Sequence, residues 1–298
     1  MIRYLKKFSI QDIPSIKKEL AISLKDLSNL IDDDLFVDLL TTLLKDQNDS
    51  VRIHLFDAII SLKTHSKLEN FCDFISNVLQ KLSSDESWRV RLTVADKLHQ
   101  MLNFQNLPTQ TKSILINIYA KMFEDNEAEI RNICCLRLEA IAEKIGKEDL
   151  FDKVLEQLKK IEKDSVSYVR GALAATMLRI CPLIGKNKTS DYIFPIFLNL
   201  IKDESHEIRM TIIKSLDRLN EVLNIDVLLP SLIPSLVEIS SNKSWRVRIQ
   251  LTESIPVMAR IMVNYIIFKV FILFIFHFLI SLNIISRINL CLWRISSL

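Results

Sequence analysis

The sequence predicts an all-α fold, a right-handed α-solenoid of two-helix units, on three observations. Only 3 of 298 residues are Gly although 49% are hydrophobic. A [Val/Ile]-Arg pair recurs six times at a nearly constant interval, and each pair opens an apolar column with helical spacing. So little Gly argues against strand-rich folds, whose tight hairpins need positive φ. It also excludes the phosphate loops and nucleophile elbows that depend on Gly, because Gly146, Gly171 and Gly185 are far apart.

The pairs are Val51-Arg52, Val90-Arg91, Ile130-Arg131, Val169-Arg170, Ile208-Arg209 and Val247-Arg248, and their arginines lie 39, 40, 39, 39 and 39 residues apart. Six residues before each Arg stands Asp46, Asp85, Asp125, Asp164, Asp203 or, in the sixth copy, Asn242. Four residues after each Val or Ile come Leu55, Val94, Cys134, Leu173, Ile212 and Leu251. Eight after come Ile59, Leu98, Leu138, Met177, Leu216 and Ile255. Apolar residues at i, i+4 and i+8 share one face of a helix.

Each copy reads as helix, polar turn, helix. In the second copy Phe71–Leu82 is the first helix, Ser83–Ser87 the turn and Trp88–Met101 the second helix. In the fifth copy Tyr192–Ile201 is followed by Lys-Asp-Glu-Ser-His-Glu and then Ile208–Val222. Ser, Asp and Asn in the turns can accept bonds from the orphan N–H groups that open the second helix. A two-helix unit cannot bury its apolar face alone, so units must stack. A period near 40 with two helices per unit indicates HEAT repeats.

The Asp–Arg pairs read as a structural ladder: each Arg can reach the Asp of its own or the adjacent unit. The rungs are Asp46, Arg52, Asp85, Arg91, Asp125, Arg131, Asp164, Arg170, Asp203, Arg209 and Arg248. Such pairs fix register more than they add stability. Cys134-Cys135 falls on the core-facing column and reads as packing.

Charge divides unevenly. Residues 261–298 hold Lys269, Arg287 and Arg294 and no acid, so the formal charge of +3 belongs to the tail and residues 1–260 are neutral. A neutral body lacks the concentrated positive field that nucleic acid requires. Five cysteines without a C-x-x-C pair suit reduced, buried thiols of an intracellular protein, and the N-terminus has no apolar run of signal-peptide length. The five histidines are isolated and no metal-ligand spacing is present. The expected class is a non-catalytic binding or scaffolding protein without cofactor or metal, in the cytoplasm and, as a further option, the nucleus.

Two turns repeat Ser-Trp-Arg-Val-Arg, in Asp85–Leu98 and Asn242–Ala259, with their tryptophans 157 residues apart. Together with Lys45–Arg52, Glu124–Arg131, Leu183–Arg209 and Leu219–Ile239, these segments resemble the scaffold (A-type) family of protein phosphatase 2A subunits from about Lys17 to Met262. The six copies resemble the sixth to eleventh units of that family's array. Ser15–Ile31 looks like a shortened fifth, with 35 residues between Lys17 and Arg52. The resemblance implies that the turns align on one edge and hold regulatory (B-type) subunits on the earlier units and the catalytic subunit on the last ones. The matching turns are Asp46–Ser50, Asp85–Arg89, Asp125–Glu129, Asp203–Glu207 and Asn242–Arg246. The partner-binding residues it implies are Asp85, Glu86, Ser87, Trp88, Arg89, Asp203, Glu204, Lys243, Ser244, Trp245 and Arg246. Trp88 and Trp245 lead, since Trp beside Arg is a common interface anchor; packing between turns is the competing reading. Only Asn242–Arg246 remains of the units expected to grip the catalytic subunit, so that subunit should be held weakly.

The sequence divides into an N-terminal segment (1–14), the array (15–262) and a hydrophobic tail (263–298). In Val263–Leu282, 15 of 20 residues are Val, Ile, Leu or Phe, long enough to span about 30 Å of hydrocarbon. Three origins fit the tail: translated AT-rich noncoding sequence, a membrane anchor, or a divergent packed helix. The alternative function is a membrane-anchored or transport-type HEAT-repeat adaptor, with membrane contact only if the tail is an anchor.

Overall fold

The computed structural model describes residues 2–240 apart from 29, 62–70, 105–106 and 149–150. The sixth pair, its turn with Lys243, Ser244, Trp245, Arg246 and Arg248, and the tail 263–298 lie outside the described residues. All described elements are helices, as the Gly-poor composition predicts. The chain forms a HEAT-repeat α-solenoid fold in two compact units, Met1–Gln157 and Leu158–Leu298.

In the first unit, α1 (Ile2–Ile10) pairs with α2 (Pro14–Leu27), and α3 (Asp33–Leu43) precedes α4 (Asp49–Arg52) and α5 (Leu55–Ser61). Then come α6 (Phe71–Ser83) with α7 (Trp88–Met101), and α8 (Thr109–Met122) with α9 (Ala128–Ile145). First helices pack on first helices, α1 on α3 and α6 on α8. Second helices pack on second helices, α2 on α5, α5 on α7 and α7 on α9. This two-layer stacking is what a period-40 pattern demands, because each helix needs a neighbour on both flanks. The division between the two units falls inside α10 (Asp152–Ile161).

The second unit continues with α11 (Ser167–Ile184), α12 (Lys186–Lys188), a π-turn at Thr189–Ile193 and α13 (Phe194–Leu200). It ends with α14 (His206–Lys214), α15 (Leu216–Leu223) and α16 (Ile225–Ser240). Here α11 packs on α14 and α15, and α13 on α16.

The apolar columns form the core of each unit. Val51, Val90, Ile130, Val169 and Ile208 are all buried, as are the residues four and eight places on. Cys134, Cys135 and Cys181 are buried with them, and burial pushes the Cys181 thiol up to about 12. Burial also raises the Cys134 thiol well above its ordinary value, so these sulfurs pack as hydrophobes.

Two second helices are broken where the periodicity alone predicts continuity. Between α4 and α5 the His54 N–H turns back to the Val51 carbonyl, a tighter i−3 bond. Between α14 and α15 Ser215 sits at φ −100°, ψ 4°, and its hydroxyl donates to the Thr211 carbonyl at 2.6 Å. A Ser that satisfies itself on the preceding turn competes with the helix ladder and bends it.

Helix ends also keep the period. Gly146 (φ 62°), Gly185 (φ 83°) and Asn224 (φ 66°) terminate α9, α11 and α15, and in the sequence they stand 39 residues apart. Each N–H closes on the carbonyl four residues back. Left-handed backbone costs a residue with Cβ roughly 1–2 kcal/mol, so Gly or Asn is required there. Gly146→Ala is expected to destabilise by about 1 kcal/mol through φ alone, since nothing lies within 4 Å of the added Cβ. Asn224→Gly should cost nothing, and urea midpoints of the two variants check both.

Candidate partner-docking edge at the intra-repeat turns

The turn between the two helices of each repeat is built the same way five times. The Asp carboxylate accepts the N–H two residues on: Asp46 from Asn48, Asp85 from Ser87, Asp125 from Glu127, Asp164 from Val166 and Asp203 from Ser205, at 2.8–2.9 Å. The Asp carbonyl accepts from the Arg six residues on: Arg52, Arg91, Arg131, Arg170 and Arg209 respectively. The Asp thus caps from two residues outside the usual cap position, and only Asn48 among the five cap residues also bonds through its own side chain.

The same Asp reaches back one repeat. Arg52 grips Asp85 with two bonds of 2.7 Å, and Arg91 grips Asp125 at 2.7 and 2.9 Å. In the second unit Arg170 grips Asp203 at 2.7 and 3.1 Å. Lys17 makes the corresponding contact with Asp46 at 2.8 Å. Each of these four carboxylates therefore belongs to the arginine or lysine of the preceding repeat, and each carbonyl to the arginine of its own. The hydrogen bond to Asp85 raises Arg52 above the ordinary arginine value against the opposing effect of burial, and Asp125 and Asp203 do the same for Arg91 and Arg170. Burial pulls Asp125 upward, but bonds from Arg91 and the Glu127 N–H outweigh it and leave its carboxyl below the usual range.

Outside these rungs the turns face solvent. Glu86 is 85% and Glu204 84% exposed at the side chain, each beside a rung, 3.7 Å from Arg52 and 3.0 Å from Arg170 respectively. Trp88 opens α7 with 39% of its surface exposed, and the Arg89 guanidinium carbon lies 5.7 Å from its ring centroid. Of the residues singled out in the sequence, Asp85 and Asp203 are engaged inside the stack, Ser87 is half-buried, and Glu86, Trp88, Arg89 and Glu204 point outward. A cleft of about 970 Å³ runs along this edge, lined by Asp12, Lys17, Asp46, Asp49, Arg52 and Glu86 among others.

A second set of cross-repeat pairs lies on the second helices: Lys97 with Asp57 at 2.6 Å and Arg137 with Asp96 at 2.7 Å. Their sequence signal is an Asp six residues after the repeat Val with a base 40 or 41 residues later. Beside them His54 is held below its ordinary value by burial and then by Lys18, and His99 by burial and then by Arg137.

No group of three or more His, Cys, Asp or Glu poised to hold a metal occurs among the described residues. No helix among them is long and apolar enough to cross a membrane.

A family model described as PIK3R4-like, middle domain matches residues 10–219, more than half of the sequence. The chain belongs to the PIK3R4-like middle-domain family. The match begins at the last residue of α1 and ends within α15. A shorter stretch of 119 residues is 30% identical to the beta isoform of the 65 kDa regulatory (A-type) subunit of serine/threonine-protein phosphatase 2A from Homo sapiens, covering 39% of this chain and 20% of that protein. The Mus musculus counterpart is 32% identical over 68 residues, 23% of this chain and 11% of that protein. The matches thus span a fifth or less of those relatives' length. An engineered protein of solved structure is 17% identical with a TM-score of 0.48, covering 74% of this chain and 96% of the other. The phosphatase-scaffold likeness read over Lys17–Met262 is carried by part of that span, while the PIK3R4-like middle-domain assignment carries most of it.

His54, His99 and Asp125 bear on how this PIK3R4-like array responds to acid. His54 and His99 have lowered folded values, so the unfolded chain binds their protons first and stability falls as pH drops below the unfolded value near 6.5. Asp125 has a lowered folded value, so its contribution is full above the unfolded value near 3.9 and is lost as pH falls further. Melting temperature should decline in two stages, below about pH 6.5 and again below about 3.9, and His54→Gln with His99→Gln should flatten the first. A single-stage decline unaffected by the double variant would contradict this.

Proposed function

We propose that this protein is a non-catalytic scaffold of a serine/threonine phosphatase 2A-type complex, which holds a regulatory (B-type) subunit on the edge formed by its intra-repeat turns. The observation that carries the reading is Trp88. It is a large aromatic side chain, partly exposed beside a 62%-exposed Arg89, at the start of a helix that the Asp85–Arg52 rung anchors. Exposed Trp with Arg on a rigid element is the composition from which interface anchors are drawn. The partial likeness to a phosphatase 2A regulatory subunit supports a partner among phosphatase subunits.

The experiment is capture by the full chain of purified regulatory and catalytic subunits, separately and mixed. The regulatory subunit is expected to be captured on its own. Failure to bind the regulatory subunit overturns the reading.

A further inference from the structure

We infer that Asp49, on the repeat before Trp88, is a positioning residue for the Trp88–Arg89 pair. Ser87 occupies the cap position of α7 with extended backbone (φ −78°, ψ 120°), yet its side chain makes no cap bond. Asp85 accepts the Ser87 N–H at 2.8 Å, which fixes the Ser87 backbone at the head of the helix. The hydroxyl donates instead to Asp49 Oδ2 at 2.8 Å, across 38 residues of sequence. The same oxygen lies 3.9 Å from Arg89 Nη1, and the Arg89 guanidinium lies over the Trp88 ring. One carboxylate oxygen therefore touches the residues on both sides of Trp88.

The register explains why Asp49 is there. Asp49 stands two residues before Val51, as Trp88 stands two before Val90, so stacking lays this position of one repeat against the flanks of the same position in the next. An ion pair this exposed does little for folding. What it restricts is the rotamer of Arg89, a long side chain that would otherwise sample many orientations. With Arg89 tethered, the cation stays over the indole and Trp88 is presented in one arrangement to whatever docks.

The binding consequence rests on the scaffold reading; the positioning itself does not. In the full chain carrying Trp245→Phe and Trp293→Phe, Trp88 is the remaining Trp, and its fluorescence anisotropy decay and iodide quenching report its local freedom. Asp49→Ala is expected to raise the quenching constant of Trp88 about twofold and to enlarge its fast anisotropy component, with helicity unchanged. Asp49→Asn, which keeps an acceptor for Ser87 and loses the charge facing Arg89, should fall between. Asp57→Ala removes a cross-repeat pair between the same two repeats, to Lys97, and should leave Trp88 as it is. Equal signals for Asp49→Ala and the parent chain overturn the proposal, and so does an equal change with Asp57→Ala. In the capture assay Asp49→Ala should weaken regulatory-subunit binding about fivefold. If the parent chain captures nothing, the scaffold reading fails while the fluorescence result still decides the role of Asp49.

Discussion

Asp203→Ala is expected to cost the second unit about 3 kcal/mol, the range for removing one partner of a buried ion pair. Arg170 and Asp203 are 7% and 6% exposed at their side chains, so the stranded guanidinium has little access to water. It would keep the Asp164 carbonyl and the outward-facing Glu204, which offset part of the loss. The same change removes the acceptor for the Ser205 N–H at the start of α14. Asp203→Asn should cost less, because an amide oxygen can still accept that N–H. Glu204→Ala should stay within about 0.5 kcal/mol, as expected of an exposed partner. Urea denaturation measures all three, and native-state hydrogen exchange should rise around α11 and α14 first, since coupling in a stacked array is between neighbours. Equal costs for Asp203→Ala and Glu204→Ala would show that the rung carries no stability. Arg170 also bonds the carbonyl of Asp164, which truncation of the Asp164 side chain leaves in place.

The second large effect is on capture of the regulatory subunit. Trp88→Ala with Arg89→Ala should weaken it by at least 2 kcal/mol, about thirtyfold, the threshold for anchor residues at interfaces. Helicity should hold, because both side chains are exposed and Val90, Val94 and Leu98 keep α7 in the core. Titration of the full chain by calorimetry gives the affinity and circular dichroism the helicity. Lost helicity would make Trp88 a packing residue, and unchanged affinity would take the docking edge away from this turn.

Much of this architecture was legible in the sequence because burial imposes period on composition. The columns at Val51, Leu55 and Ile59 and their counterparts are apolar in every repeat, and Trp88–Met101 begins and ends where the pattern says. Less legible was which neighbour each polar group reaches. An Asp six residues before an Arg satisfies its own repeat and the adjacent one equally well on paper; the fold gives the carboxylate to one and the carbonyl to the other. Lys17 serves as a rung without matching the [Val/Ile]-Arg pattern. Asp49 was hidden for a similar reason, since its contacts with Ser87 and Arg89 depend on how closely α4 stacks on α7. The helix-ending Gly146, Gly185 and Asn224 carried a readable signal in their spacing, but it emerges only if Asn is counted with Gly as a residue that tolerates positive φ. The break at Ser215 had no such signal, because a Ser within a helical pattern bends the chain only when its hydroxyl turns back on the preceding carbonyl.

Because Asp85, Asp125 and Asp203 each neutralise the arginine of the repeat before while holding their own turn, the stack has a direction that its recurring motif conceals. Removing repeats from the front would leave an acid, such as Asp85 without Arg52, that still holds the Ser87 N–H and turns its free oxygen to water. Removing them from the back would leave an arginine, such as Arg170 without Asp203, that still holds the Asp164 carbonyl and turns the rest of its guanidinium to water. A shortened array would therefore carry opposite charges at its two cut faces, an unpaired acid at the front and an unpaired arginine at the back.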